Sequence, residues 1–286
     1  MLGITEWFIL AISVSLITLV KLIDKNPPPI FGIYQRANGL YWLKVAFMYL
    51  VLSLRKVKSA KKEEKSFYSD IERPQKLSLH EKAIDAVYLT GGNKYGDYLA
   101  VGTARRKNLL VDGFLYLKIN SSNLGLLESP KLPDSALYKT EDTEEFSAEG
   151  INIIPLEPMK KWRFTYEGKM KEFNNRKQLH HVKIDGIWTS DLPLFNFDED
   201  MDPLCMAKSM AYEKWSRTYF ESLKASHQTH YEQFGVLQAA ITIDKVNYNV
   251  ELDILRDHSF GMYRDWKQFK RYVLHFFSTE DGNRFA

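Results

Sequence analysis

Residues 83–119 read AIDAVYLTGGNKYGDYLAVGTARRKNLLVDGFLYLKI, and this stretch decides the fold. Three short runs, 84–90, 98–104 and 111–119, are rich in Val, Leu, Ile and Tyr, which suit the half-buried surface of a pleated sheet. The turn Gly91-Gly92-Asn93 and a loop around Asn108 separate them. Runs of this kind, broken by turn residues, signal antiparallel strands. The same rhythm resumes at 150–155, 161–170, 179–189, 236–244, 248–255 and 270–278. A spacing of roughly 10–15 residues indicates an antiparallel sandwich or barrel. Nowhere does a strand alternate with a crossover helix, as a parallel sheet requires.

One inserted helix, 203–224, breaks the pattern. Asp202 is its expected N-cap and Pro203 its first residue, and Leu204, Ala207, Ala211, Trp215, Tyr219 and Leu223 follow at steps of three or four. That stripe is expected to pack on the sheet. Composition agrees with a folded, mainly β chain: 45% hydrophobic and 26% charged residues exclude disorder over most of the length, and 14% aromatic residues favour strands and apolar linings. A single cysteine, Cys205, cannot form an intramolecular disulfide and fits a reducing compartment.

Outward from the β region, the amino-terminal end has a different character. Residues 2–20 are apolar apart from Glu6 and a few hydroxyls, and as a helix they would extend about 28 Å, close to the hydrocarbon thickness of a bilayer. The expectation is a transmembrane anchor over 1–23, since no basic stretch precedes the run and no small-residue cleavage site follows it. Between Lys21 and Lys65 there are ten basic residues against three acidic ones, a local charge of +7. Residues 1–20 contribute −1, so a total of +3 leaves −3 for the rest. A basic excess behind the apolar run places the remainder on the cytosolic side of a single-pass membrane protein. A mildly acidic body also argues against nucleic acid as a partner. Pro27-Pro28-Pro29 opens a linker, and 39–54 followed by the basic run through Lys62 reads as an interfacial helix on anionic lipid, making 24–65 one membrane-proximal segment.

Candidate chemistry is sparse. Gly91-Gly92 lacks the Gly-Lys-Ser/Thr of a phosphate loop, and no dinucleotide or serine-hydrolase motif occurs. Asp198, Asp200 and Asp202 do not open a calcium loop, because Pro203 and Ser209 stand where Gly and Glu are required. In 180–181 neighbouring histidines on a strand face opposite ways, so at most one faces an interior. His227 and His230, with Glu232 near, have the spacing of two metal ligands, but no third is recognisable and no metal or other cofactor is expected. The densest cluster is Arg256-Asp257-His258-Ser259-Phe260-Gly261, followed by Arg264-Asp265-Trp266. It reads either as an acid–base pair, Asp257 with His258, or as a structural knot in which Arg256 or Arg264 pairs with an aspartate.

Five motifs carry a family resemblance: VGTARRKNLLVDGFLYLKI (101–119), LEPMKKWRFTYEGKM (156–170), WTSDLPLFNFDEDMDP (188–203), SHQTHYEQFG (226–235) and RDHSFGMYRDW (256–266). Read in order, they resemble the amino-terminal region of animal phosphoenolpyruvate synthase-like proteins, relatives of rifampicin phosphotransferase. That region is similar in turn to the two-barrel, lipocalin-like fold of carotenoid 1,2-hydratases. The resemblance implies a first barrel over 66–255 and the start of a truncated second over 256–286, with the Arg256–Trp266 cluster at the passage between them. It also implies that phosphotransfer chemistry lies in ATP-grasp and phosphohistidine domains not contained in these residues. Residues 272–278 read as a strand entering the turn 280–283 without a returning strand. The expected function is a membrane-anchored module for an apolar, lipid-like ligand, with a partner chain completing the second barrel. The alternatives are a hydratase or isomerase acting on an isoprenoid-type chain, and a regulatory remnant of a longer phosphotransferase-like protein.

Overall fold

A computed structural model describes residues 4–23, 25–59, 64–141, 145–268, 271 and 273–286. Leu2, Lys61, Lys62, Lys270 and Tyr272, which entered the expectations above, lie outside the described residues. The chain divides into two units, Met1–Lys62 with Glu199–Lys224, and Glu63–Asp198 with Ala225–Ala286.

The second unit is an antiparallel barrel. Its strands are β1 (Ile84–Gly92), β2 (Tyr98–Arg105), β3 (Leu110–Lys118), β4 (Leu126–Glu128), β5 (Ala136–Tyr138), β6 (Phe146–Ala148), β7 (Ile151–Glu157), β8 (Lys161–Glu172), β9 (Leu179–Thr189), β10 (Phe195–Asn196), β11 (Gln228–Ile243) and β12 (Val246–Gly261). Pairing runs β11-β12-β1-β2-β3-β4-β8, and β9 pairs with both β8 and β11, so eight strands close on themselves. Closure removes the exposed edges that an open sheet would present. Strand alternation sets the interior: along β3 and β9 every second residue is buried. Leu99, Val101, Leu115, Leu117, Phe164, Ile184, Leu237 and Ile254 fill the core together with Trp162 and Trp188, a directly opposed pair on β8 and β9. An eight-stranded barrel is just wide enough for side chains to fill.

Two turns fix the hairpins. Glu149 (φ 46°) and Gly150 (φ 92°) join β6 to β7, and Asp244 (φ 48°) and Lys245 (φ 79°) join β11 to β12. Two-residue loops with both φ values positive match the twist of the strands they connect. A helix, α3 (Glu64–Ile71), precedes β1 in the chain and delivers the buried Glu72.

The sequence expectation for 256–286 requires correction. Residues 256–261 are the second half of β12, paired with β1 and β11 of the same barrel, because a continuous 16-residue strand runs through position 255. The returning strand also exists: of the run expected over 270–278, the strand among the described residues is β13 (Phe277–Ser278), which pairs with β14 (Arg284–Phe285), two residues that are too few to signal a strand by pattern.

In the first unit, α1 (Ile4–Ile23) carries described side chains at 6, 7 and 9–23, all exposed. Among the described residues no helix is long and apolar enough to cross a membrane. The inserted helix is two, α4 (Pro203–Tyr212) and α5 (Arg217–Ala225), numbered after α2 (Tyr41–Ser59) and α3. Asp202 caps α4 as expected, accepting from Cys205 N at 2.7 Å. The buried stripe of α4, however, packs on α2, where Ala207 and Ala211 meet Tyr41, Val45 and Met48. Lys44, which interrupts the apolar run of α2, donates to the Glu213 carbonyl at 3.1 Å, beyond the end of α4.

Candidate functional site

The polar motifs converge on β11 and β12, and the two faces of that hairpin carry two separate clusters. Register places Tyr231 opposite His258 and Gln233 opposite Arg256 on the inner face. Asp85 stands opposite Arg105 on the neighbouring β1–β2 pair. Glu232 stands opposite Asp257 on the outer face. Adjacent residues of a strand point to opposite sides, so Asp257 and His258 are separated by the barrel wall.

Inside, Arg256 and His258 are both 0% exposed, and their partners Glu72, Asp85 and Tyr231 are buried as deeply. Arg256 donates from Nη1 to Glu72 Oε1 at 2.6 Å and from Nη2 to Gln233 Oε1 at 2.7 Å. Its guanidinium lies over the rings of Trp162 (4.9 Å), Trp188 (4.8 Å) and Tyr231 (5.2 Å). A planar, weakly hydrated cation suits such a box better than an ammonium. Glu72 completes its set with Tyr231 Oη at 2.6 Å, Trp162 Nε1 at 2.7 Å and Met159 N at 3.0 Å. Burial works against the Glu72 carboxylate, but the Arg256 charge and three further donors outweigh it and hold the group below the ordinary value. Burial pushes the Tyr231 hydroxyl well above its ordinary value, so it stays protonated.

His258 extends the network. Its Nδ1 lies 2.9 Å from Tyr231 Oη and its Nε2 2.8 Å from Asp85 Oδ1. The Tyr231 hydroxyl donates to Glu72, and both ring nitrogens of His258 are engaged by buried partners. Asp85 is also bound by Arg105 Nη1 at 2.6 Å and by Gln75 N at 2.7 Å. One connected chain, Arg105–Asp85–His258–Tyr231–Glu72–Arg256, thus crosses the barrel end.

Outside, His230 Nε2 meets Asp257 Oδ2 at 2.7 Å and Glu232 Oε1 at 3.5 Å. The Phe197 ring stacks on His230 at 4.0 Å and 11°. Burial, reinforced by the Asp257 charge opposite, raises the Glu232 carboxyl above its ordinary value. His227 lies apart from this group and bonds Asp198 at 2.6 Å. Arg264 serves the strand ends, reaching Gln228 Oε1 at 2.9 Å and Ser259 Oγ at 2.8 Å, and its guanidinium lies 5.4 Å over Trp266. Asp265 pairs with Lys82 at 2.8 Å. Of the histidine pair at 180–181, His180 is the buried one, held between Asp244 Oδ2 (2.5 Å) and Glu172 Oε1 (3.0 Å).

Of the residues expected to cluster at 256–266, Arg256, His258 and Ser259 are buried while Trp266 is exposed, and the partners of Arg256 and His258 are Glu72, Asp85, Tyr231 and Gln233. None of these follows from local sequence. The available signal was indirect: an arginine alternating with Ile254 and His258 on an inward face needs a buried acid from another segment.

Over residues 8–286 the chain matches a family described as "Family of unknown function (DUF8627)". It belongs to that family. The match takes in both units and every residue of the two clusters. No curated protein matches the chain. Among solved structures, a protein of Nitrosomonas europaea described as "a putative AttH" is similar at a TM-score of 0.39 and 13% identity, over 66% of this chain and 54% of that one. This chain therefore spans about half the length of that protein.

Proposed function

We propose that this DUF8627 member is a membrane-tethered barrel that binds an apolar, lipid-like ligand on its outer wall. The observation that carries the reading is a groove of about 1060 Å³ whose apolar lining includes Phe234, Val236 and Leu255 of the barrel and Phe276 and Phe277 of the carboxyl-terminal hairpin. Its volume is at the upper end of small-molecule sites, which run to about 1,000 Å³. The barrel interior, filled by Trp162, Trp188 and their neighbours, is the less suitable place.

Tethering is supported by α1. A helix whose described side chains are all exposed, with apolar residues all round, suits lipid better than water. Ser13 and Thr18 return their hydroxyls to the carbonyls four residues back, at 2.8 and 2.7 Å, so neither needs water. The basic residues from Lys21 onward favour the cytosolic face for the barrel. The relationship to phosphoenolpyruvate synthase-like proteins, and a partner chain beside the hairpin, belong to the same proposal.

The full chain, extracted from membranes and delipidated, should bind a fluorescent fatty acid or isoprenoid probe, and Val236→Arg should weaken that binding at least tenfold. A wild-type chain that binds neither probe ends the reading. Protease digestion of sealed vesicles should cut 66–286 from the cytosolic side.

A second reading, an acid–base enzyme for an isoprenoid-type chain, draws on one observation: His258 is clamped between Asp85 and Tyr231, an orientation that proton transfer requires. Asp257 would then act separately, through His230. Unchanged turnover of a discovered substrate in Asp257→Asn and His258→Ala would exclude it.

A further inference from the structure

We infer that His230, Glu232 and Asp257 form a binding site for one divalent transition ion on the outer wall of the barrel. The three offer one imidazole nitrogen and two carboxylate oxygens within 4.8 Å of one another. At bond lengths of about 2.0–2.2 Å, two tetrahedral ligands stand roughly 3.3 Å apart. The observed separations of 2.7 and 3.5 Å from His230 Nε2 bracket that value. Small rotations of Asp257 and Glu232 therefore suffice, without movement of the strands.

Two further observations point to a cation. Glu232 is 9% exposed and its carboxylate accepts no hydrogen bond among the described residues, its only partner being the His230 ring at 3.5 Å. It also stands directly across the ladder from Asp257, and like charges opposed in this way destabilise a sheet unless something lies between them. The imidazole is already oriented, since Phe197 stacks flat against it and its strand is fixed by pairing on both sides. Locked ligands of this kind reduce the cost of assembling a site. A donor set of one nitrogen and two oxygens suits zinc, manganese or ferrous iron, and three protein ligands leave at least one position open to water or a small anion. Zinc and manganese are the probes of choice.

Sequence spacing alone gave His227, His230 and Glu232. Strand pairing replaces His227, engaged with Asp198, by Asp257 from 25 residues downstream of Glu232.

The test uses the full chain without a histidine tag, stripped with chelator and dialysed against Zn²⁺ or Mn²⁺, with metal content measured by mass spectrometry. One ion per chain is expected. His230→Ala, Glu232→Gln and Asp257→Asn should each lower the affinity by at least about tenfold, while His227→Ala should leave it unchanged. Should the variants fail to fold, Co²⁺ added to the wild-type chain should give visible absorption bands of a mixed nitrogen and oxygen site, displaced by Zn²⁺. Absence of a bound ion, absence of those bands, or equal binding by the folded variants would overturn the site.

Discussion

Replacing Glu72 by Gln keeps the shape of a side chain at the centre of the inner network and removes its charge. Four donors converge on the carboxylate, two on each oxygen: Arg256 and Tyr231 on Oε1, Met159 N and Trp162 Nε1 on Oε2. The amide oxygen of Gln satisfies one pair of donors and presents N–H groups to the other, and in either orientation Arg256 loses its anion. Arg256 then keeps Gln233 and its aromatic box, with no counter-charge at a fully buried position. Breaking one side of a buried pair costs about 3–5 kcal/mol, and 3–5 kcal/mol is the expected loss. Urea unfolding followed by far-ultraviolet circular dichroism and tryptophan fluorescence measures it, Trp162 and Trp188 lying within 4.9 Å of the guanidinium. Because the folded Glu72 value is depressed, its contribution is present above the unfolded value of about 4.5 and is lost as pH falls through the lower folded value. Wild type should weaken in that acid window more steeply than Glu72→Gln. The cycle with Arg256→Met should show coupling of about 3 kcal/mol, because Glu72→Gln with Arg256→Met strands no charge. A loss under about 1 kcal/mol, or additivity within about 0.5 kcal/mol, would refute the reasoning.

Other expectations follow from the same geometry. Burial disfavours charged His180, yet bonds to Asp244 and Glu172 raise it net above 6.5, so its contribution is complete below pH 6.5 and fades as pH rises through the folded value; His180→Gln should flatten the stability profile there in chemical denaturation. Gly235→Ala would set a Cβ 2.4 Å from the Thr189 carbonyl and 2.5 Å from the Trp188 indole, and should lower stability by about 3 kcal/mol in urea unfolding; a near-neutral effect would mean the wall yields there.

How far the sequence foretells this arrangement depends on the range of the interactions involved. The strands at 84–90, 98–104 and 179–189 were legible because alternation and turn residues act locally. Residues 228–235 were not: His230, Glu232 and Gln233 belong to a strand that is polar because it carries both clusters, and that polarity hid its β character. The break between α4 and α5 was missed for a related reason. The apolar stripe continues through 213–216, whereas the backbone turns there and the Trp215 indole donates to the Met210 carbonyl at 2.8 Å. The partners of the site were the least legible. Glu72 and Arg256 are 184 residues apart, and only closure of the barrel brings them to 2.6 Å.

Both clusters depend on one register. Between β11 and β12 it is set by a two-residue turn, and a slip of one residue would exchange the faces of a strand. Tyr231 and Gln233 would then face outward, and His230 and Glu232 would enter the core. The turn is secured from outside: Asp244 accepts from His181 N at 2.8 Å and engages buried His180, which ties the hairpin tip to β9. The strand pairing of β9 with residues 236–243 holds the same register along its length. Polar inner residues therefore do not weaken the specification of the fold. Arg256 has a counter-charge and an aromatic box in one register only, so the network that binds it also excludes the alternative pairing, and the outer group of His230, Glu232 and Asp257 is assembled as a consequence.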